Sequence, residues 1–204
     1  MILVGRYLSP FVRRTAITMK LYGMPYEHNQ LSTATDGEAI RKINPVGRVP
    51  ALVTDDGMTL VESGAIIDWL DEKVGPARAL TPPAGPERHK VQNLVVIATG
   101  TMDKAVSYSY ETKRRPAERQ HQPWIDNLKA QVAGGLRHLE AIEGKPWLAG
   151  SSMTQADITA AVLTEFMLFQ LPELFPKGSH PRLESLAAKL ADTPAFKETA
   201  LPAP

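Results

Sequence analysis

Cysteine is absent from this 204-residue chain, which excludes disulfides, thiolate metal sites and a cysteine nucleophile. Long apolar runs are absent as well: no stretch approaches the roughly 20 residues of a membrane helix. The opening MILVGRYLSP is interrupted by Arg6 after an apolar run too short for a signal peptide. A soluble, cytoplasmic protein is expected. A strong bias of charge is lacking too, since 23 Lys and Arg exceed 22 Asp and Glu by one, so nucleic acid and anionic membranes are poor candidates as partners. Lys113-Arg114-Arg115 reads as a solvated helix end rather than a phosphate site. His28, His89, His121, His138 and His180 are scattered without metal-ligand spacing, so no metal site is predicted.

What is present is an ordinary apolar fraction, 43%, enough for a real core and, at this length, for two small domains. Ile2 to Gly5 reads as a buried strand, and Thr15 to Tyr22 as a helix closed by Gly23 and Pro25. Tyr26 to Leu31 alternates as a second strand, and a weaker helix covers Asp36 to Ile43. Ala51 to Val53 and Met58 to Val61 are strands joined through Asp56-Gly57, a hairpin signal. A helix from Ser63 to Lys73 follows. The order βαβ, helix, ββα predicts an α/β domain with one parallel strand pair, an antiparallel hairpin and covering helices, over residues 1–75.

Gly75-Pro76, Thr81-Pro82-Pro83 and Gly85-Pro86 then make a proline-rich linker, residues 76–86, too poor in amide donors for helix or sheet. Beyond it strand signals vanish. Apolar residues recur every three or four positions over Glu87–Glu111 (Leu94, Ala98, Met102) and Pro123–Ile142 (Trp124, Leu128, Val132, Leu136, Leu139). Gln155–Phe169 and Arg182–Leu190 add two helices, and Pro194 opens a short last one. Residues 87–204 are therefore expected to form an all-helical domain. Trp124 and Trp147 within it, and Trp69 in the first domain, fall in apolar patterns and read as core.

Three short stretches carry chemistry. Ser9-Pro10 is what a helix start requires: a capping hydroxyl, then a proline whose missing N–H would have been unpaired anyway. On those two residues alone a plain cap suffices, but the serine also falls where a strand hands over to a helix, the edge at which α/β folds place ligands. In Asn44-Pro45-Val46-Gly47-Arg48-Val49-Pro50-Ala51-Leu52, the proline opening a strand after a valine suggests a cis bond. Such a bond would turn the Val49 backbone outward to pair with a peptide-like ligand as an added strand would. Glu62-Ser63 ends a strand and opens a helix, where free amides and a hydroxyl can face a carboxylate. It is also an ordinary capping pair. Ser152 to Ile158 carries a capping box, Thr154 with Asp157, whose role is structural.

Taken in this order, Ser9, the NPVGRVPAL stretch, Glu62-Ser63, the proline-rich linker, the capping box and the helical second half resemble a cytosolic glutathione transferase of the bacterial, serine type. The resemblance spans nearly the whole chain. It implies a thioredoxin-like N-terminal domain, an all-α C-terminal domain holding an electrophile pocket, glutathione as co-substrate, a homodimer and a detoxification role. It implies that Ser9 donates a hydrogen bond to the glutathione sulfur and that the Val49 backbone pairs with the cysteinyl part beside cis Pro50. Glu62 and Ser63 would grip the γ-glutamyl end, and Arg48 would face the glycyl carboxylate. Arg13 either reaches the sulfur or lies on the surface. Phe11 and Tyr108 are candidates for the electrophile pocket, with packing as the competing role of each.

A free thiol has a pKa near 8.5, so only about 3% is thiolate at neutral pH. Lowering the pKa by about 2 units requires roughly 2.7 kcal/mol of preferential anion stabilisation. A hydrogen bond to a charged group supplies about 1.5–3 kcal/mol, and a helix N-terminus about 0.3–1 kcal/mol more. A serine hydroxyl at a helix start meets the need without a metal or a general base. Where thioredoxin-like redox proteins carry Cys-x-x-Cys this chain has Ser9-Pro10-Phe11-Val12, which excludes a mixed disulfide with the protein. Two alternatives stand beside the transferase. One is a glutathione-dependent isomerase of the zeta type, although those members carry a longer serine-rich, cysteine-containing start. The other is a non-catalytic interaction protein on the same fold, for which Ser9, Glu62 and Ser63 together would be superfluous.

Overall fold

A computed structural model describes residues 1–201. The chain divides into two compact units, one formed by residues 1–83 with the described part of the tail from Asp192 onward, the other by Ala84–Ala191.

In the first unit, β1 (Ile2–Val4) runs parallel to β2 (Glu27–Asn29) and antiparallel to β3 (Ala51–Val53), which pairs with β4 (Thr59–Val61). The sheet order is β2-β1-β3-β4. α1 (Pro10–Leu21) provides the crossover between the parallel strands, α2 (Gly37–Ile43) links β2 to β3, and α3 (Ser63–Val74) follows the hairpin. This is the predicted thioredoxin-like arrangement. Leu3 and Leu52 face each other in the β1–β3 register and pack with Val12, Ala16 and Met19 of α1 and Ile66 and Leu70 of α3. Each is essentially unexposed, which at about 1.5–3 kcal/mol per large side chain makes this layer the main source of the unit's stability.

The end of the chain departs from the sequence expectation. α8 (Pro194–Lys197) belongs with the first unit rather than the helical one. The reason lies on α1: the buried Arg13 donates from Nε to the Thr199 carbonyl at 2.8 Å and its guanidinium lies 5.5 Å from the Phe196 ring centre. Lys20 also pairs with Glu198 at 2.5 Å.

The second unit contains α4 (Gly85–Lys113), a 3-10 turn at Ala117–Arg119, α5 (Gln122–Glu140), α6 (Gln155–Gln170) and α7 (Pro181–Ala191). α4 packs on α5 and α6, and α6 on α7. The stripe Leu128, Val132, Leu136 and Leu139 of α5 is buried as its period requires. α6 is buried on nearly every side, from Ala156 to Leu163 without interruption. Its capping box is formed: the Asp157 carboxylate accepts from the Thr154 amide at 2.8 Å and hydroxyl at 2.9 Å, and from the Leu148 amide at 2.8 Å. Trp124 corrects the packing expectation, being 42% exposed. It lies in the first turn of α5, where Ile125 takes the inward position instead. Among the described residues no helix is long and apolar enough to cross a membrane.

Candidate functional site

Ser9 lies between β1 and α1 and is the N-cap of α1, with Pro10 opening the helix. Its carbonyl accepts from the Arg13 amide at 2.9 Å, while its hydroxyl accepts from the Val12 amide only at 3.5 Å. The first turn of α1 holds no acidic residue, so nothing there opposes a negative charge at the helix start.

The loop before Ser9 is fixed from both sides. Gly5, at φ +121°, donates from its amide to the Asn29 carbonyl at 2.8 Å, and its own carbonyl is bonded to His28 Nε2 at 2.7 Å. His28 stacks on Tyr7 with ring centres 4.1 Å apart, and the Tyr7 and Tyr26 hydroxyls are 2.7 Å apart. Burial, then the bond to Tyr7, pushes the Tyr26 phenol well above its usual range.

Gly5 also explains how Val49 comes to the site. A methyl at Gly5 would lie 2.5 Å from Val12 Cγ2 and 2.8 Å from Val49 Cβ, so the strand end, the helix start and the Val49 loop converge where only a glycine fits. The Val49-Pro50 peptide is cis. Asn44 shapes the loop from within, donating to the Arg48 carbonyl at 2.8 Å and accepting from the Val46 amide at 3.0 Å. The Arg48 side chain is exposed.

Glu62 and Ser63 start α3. Glu62 is the N-cap and adopts φ +73°, a left-handed conformation rare for a side chain of this kind. Its carboxylate accepts from the Gly64 amide at 2.8 Å and from the Ser63 hydroxyl at 3.0 Å. Glu62 is exposed, whereas Ser63 is fully buried. Beneath them lies Arg14, which donates from Nη1 to Ser63 Oγ at 3.2 Å. Desolvation pulls the Arg14 pKa down to about 10, against the attraction of Glu62 and Asp71, so the guanidinium is charged at neutral pH.

The structure thus brings Ser9, Val49, Pro50, Glu62 and Ser63 onto neighbouring segments of one unit. Arg13 is neither at a free surface nor turned to an open site, because it is buried against the α8 segment. Phe11 is half-buried one residue into α1. Tyr108 belongs to the helical unit and is 6% exposed, while Tyr110, two residues on, is 42% exposed. Gly5, Arg14 and Asn44 were not singled out in the sequence. Arg13 and Arg14 are adjacent and both buried, and their different partners left no mark in the sequence. Among the described residues no three His, Asp or Glu side chains are grouped to hold a metal.

Residues 3–78 match the glutathione S-transferase N-terminal domain and residues 122–187 the C-terminal domain. The chain is 30% identical to an uncharacterized GST-like protein, YibF, of Escherichia coli (strain K12), over 98% of each chain. It is 27% identical to a maleylacetoacetate isomerase of Pseudomonas aeruginosa, over 94% of this chain and 92% of that one. A glutathione S-transferase from Methylobacterium radiotolerans, solved in complex with glutathione sulfonate, superposes with a TM-score of 0.92 at 26% identity, covering 100% of this chain and 95% of that one. The chain belongs to the glutathione S-transferase family.

Proposed function

We propose that this protein is a glutathione transferase of the serine type. The observation that carries the reading is the Ser9 hydroxyl at the start of α1, held only at 3.5 Å by the Val12 amide, with no acid in the turn behind it. A hydroxyl so placed has its proton free to donate. Glutathione would lie along the first unit with its cysteinyl backbone at Val49, its γ-glutamyl end at Glu62 and Ser63, and its glycyl carboxylate toward Arg48. The glutathione sulfonate bound by the Methylobacterium relative supports this choice of ligand.

Catalysis then consists of making a nucleophile. Ser9 donates to the sulfur, the α1 N-terminus adds its partial positive charge, and the thiolate is favoured by about the 2.7 kcal/mol that a useful pKa requires. The thiolate adds to an apolar electrophile or displaces its leaving group; Phe11, half-buried at the start of α1, is the contributor to the electrophile site proposed from the first unit. A homodimer is part of the proposal, and the exposed apolar side chains of Val46 and Met58 in the first unit are surface that a partner would cover.

A second reading, glutathione-dependent isomerisation, is favoured by the full-length similarity to the Pseudomonas isomerase. Both use the same thiolate and differ in whether glutathione is consumed. Calorimetric titration of glutathione, with thiolate absorbance followed from about pH 5 to 9, tests the shared step: binding with thiolate forming well below pH 8 is expected. Absence of binding would overturn both. Following glutathione with an aryl halide and with a cis-dienoic acid then separates conjugation from isomerisation.

A further inference from the structure

The Ser9 hydroxyl makes only the 3.5 Å contact to the Val12 amide, so the direction in which it donates follows from where the backbone carries it. That backbone is a short turn. β1 ends at Val4, the Ser9 amide donates to the Arg6 carbonyl at 3.0 Å, and α1 opens at Pro10. Gly5 anchors the turn where it leaves β1, and β2 holds Gly5. Its amide donates to the Asn29 carbonyl at 2.8 Å, and its carbonyl oxygen lies 2.7 Å from His28 Nε2. A carbonyl only accepts, so His28 carries a proton on Nε2 and donates it there.

The same imidazole supports the turn a second time. It stacks on Tyr7 with ring centres 4.1 Å and planes 16° apart, and the Tyr7 hydroxyl lies 2.7 Å from that of Tyr26. One half-buried side chain therefore braces the turn at its start and at its middle. The place it holds is also the tightest in the site. A Cβ at Gly5 would fall 2.5 Å from Val12 Cγ2 and 2.8 Å from Val49 Cβ. The peptide bonded to His28 is thus the spacer between Val12, whose amide faces the Ser9 hydroxyl, and the Val49 loop. The α3 start, with Glu62 and Ser63, is held by its own bonds. A shift of the Gly5 peptide would move Ser9 relative to Val49 and leave the α3 start in place.

We infer that His28 is a positioning residue for the thiolate: its Nε2 bond to the Gly5 carbonyl sets the point, relative to Val49, from which Ser9 donates to the sulfur. The inference rests on the glutathione reading. His28 is assigned no contact with the sulfur and acts through Gly5 and Ser9.

The test follows thiolate absorbance of bound glutathione against pH, beside calorimetric affinity. His28→Phe keeps a ring for Tyr7 and removes the donor. It is expected to raise the pKa of the bound thiol by about 1, the roughly tenfold scale of one weakened bond to a charged group. At about pH 5, where the bound thiol keeps its proton, affinity should stay within about 2-fold of wild type. His28→Gln offers an amide N–H near the Nε2 position without ring or charge, and should recover at least half of the loss. In a Ser9→Ala background, His28→Phe should move the thiol pKa by less than about 0.3, because no donor is left to aim. His28→Leu takes the place of the phenylalanine variant if that one does not fold by circular dichroism. An unchanged thiol in the folded donor-free variant overturns the inference and leaves the glutathione reading intact. So does a glutamine variant no better than phenylalanine, or a full shift that persists without Ser9. Wild type that binds no glutathione, or leaves its thiol near the free value, overturns the proposed mechanism and the inference with it.

Discussion

The Val12 amide donates to the Ser9 hydroxyl at 3.5 Å, whereas the Ser9 carbonyl holds the Arg13 amide at 2.9 Å. The backbone of Ser9 is thus firmly part of the helix start, and its side chain is only loosely so. Ser9→Ala should therefore cost little stability, about 0.5–1 kcal/mol, the low end for loss of an N-cap. The same change should return the bound thiol toward its free value near 8.5 while glutathione still binds. Urea unfolding and thiolate absorbance on the same samples check the two halves. A large stability loss with an unchanged thiol would make Ser9 a cap and nothing more.

Gly5 is the narrowest point of the site. An alanine there would meet both Val12 and Val49 closer than any side chain tolerates, at a φ of +121° that it would not readily adopt. Overpacking and the backbone penalty together predict a loss of roughly 2–4 kcal/mol. Because the clash lies between α1 and the Val49 loop, a variant that still folds should also bind glutathione more weakly. Unfolding and calorimetry at matched concentrations decide it. Wild-type behaviour in both would show that the loop yields freely.

How much of this could be read in the chain depended on range. The strand and helix order followed from local periodicity, and Ser9-Pro10 declared its cap because the required chemistry sits in two adjacent residues. The roles of Gly5 and Arg14 were hidden because each is defined by a partner far along the chain, Val49 for one and Ser63 for the other. Arg13 and Arg14 are adjacent and chemically alike, yet one turns to Thr199 and the other to Ser63. Only the packing of α1 between α3 and α8 separates them. Trp124 misled for the opposite reason: the apolar period extends into the first turn of α5, where the packing does not follow.

Glu62 holds a left-handed backbone, φ +73°, that a glycine would adopt without strain. Glu62→Gly removes a penalty of about 1–3 kcal/mol and loses a cap worth about 0.5–2 kcal/mol. The two nearly cancel, so unfolding free energy should change by less than about 1 kcal/mol. Glutathione affinity should fall about 10-fold or more, because a hydrogen bond to a charged group is lost from the ligand's amine. Denaturant titration beside calorimetry gives both numbers. If affinity survives, Glu62 is a capping residue without a part in binding.

Tyr22 closes α1 and ties three segments together: its hydroxyl donates to the buried Asp71 of α3 and accepts from the Leu80 amide at 2.7 Å. Burial first, then the bond to Asp71, holds its phenol well above the usual value near 10. A raised phenol keeps its proton in the folded state after the unfolded chain has lost it. Its contribution is therefore complete below about pH 10 and is lost as pH rises beyond that toward the folded-state value. Tyr22→Phe leaves the Leu80 amide and the Asp71 carboxylate short of a partner, and should cost roughly 2–4 kcal/mol near neutral pH. The variant should also show a shallower alkaline loss of stability, with Tyr26, raised by burial as well, accounting for what remains. Urea unfolding at about pH 7, 9 and 10.5 measures both effects. A full alkaline slope in the variant would move its origin away from Tyr22.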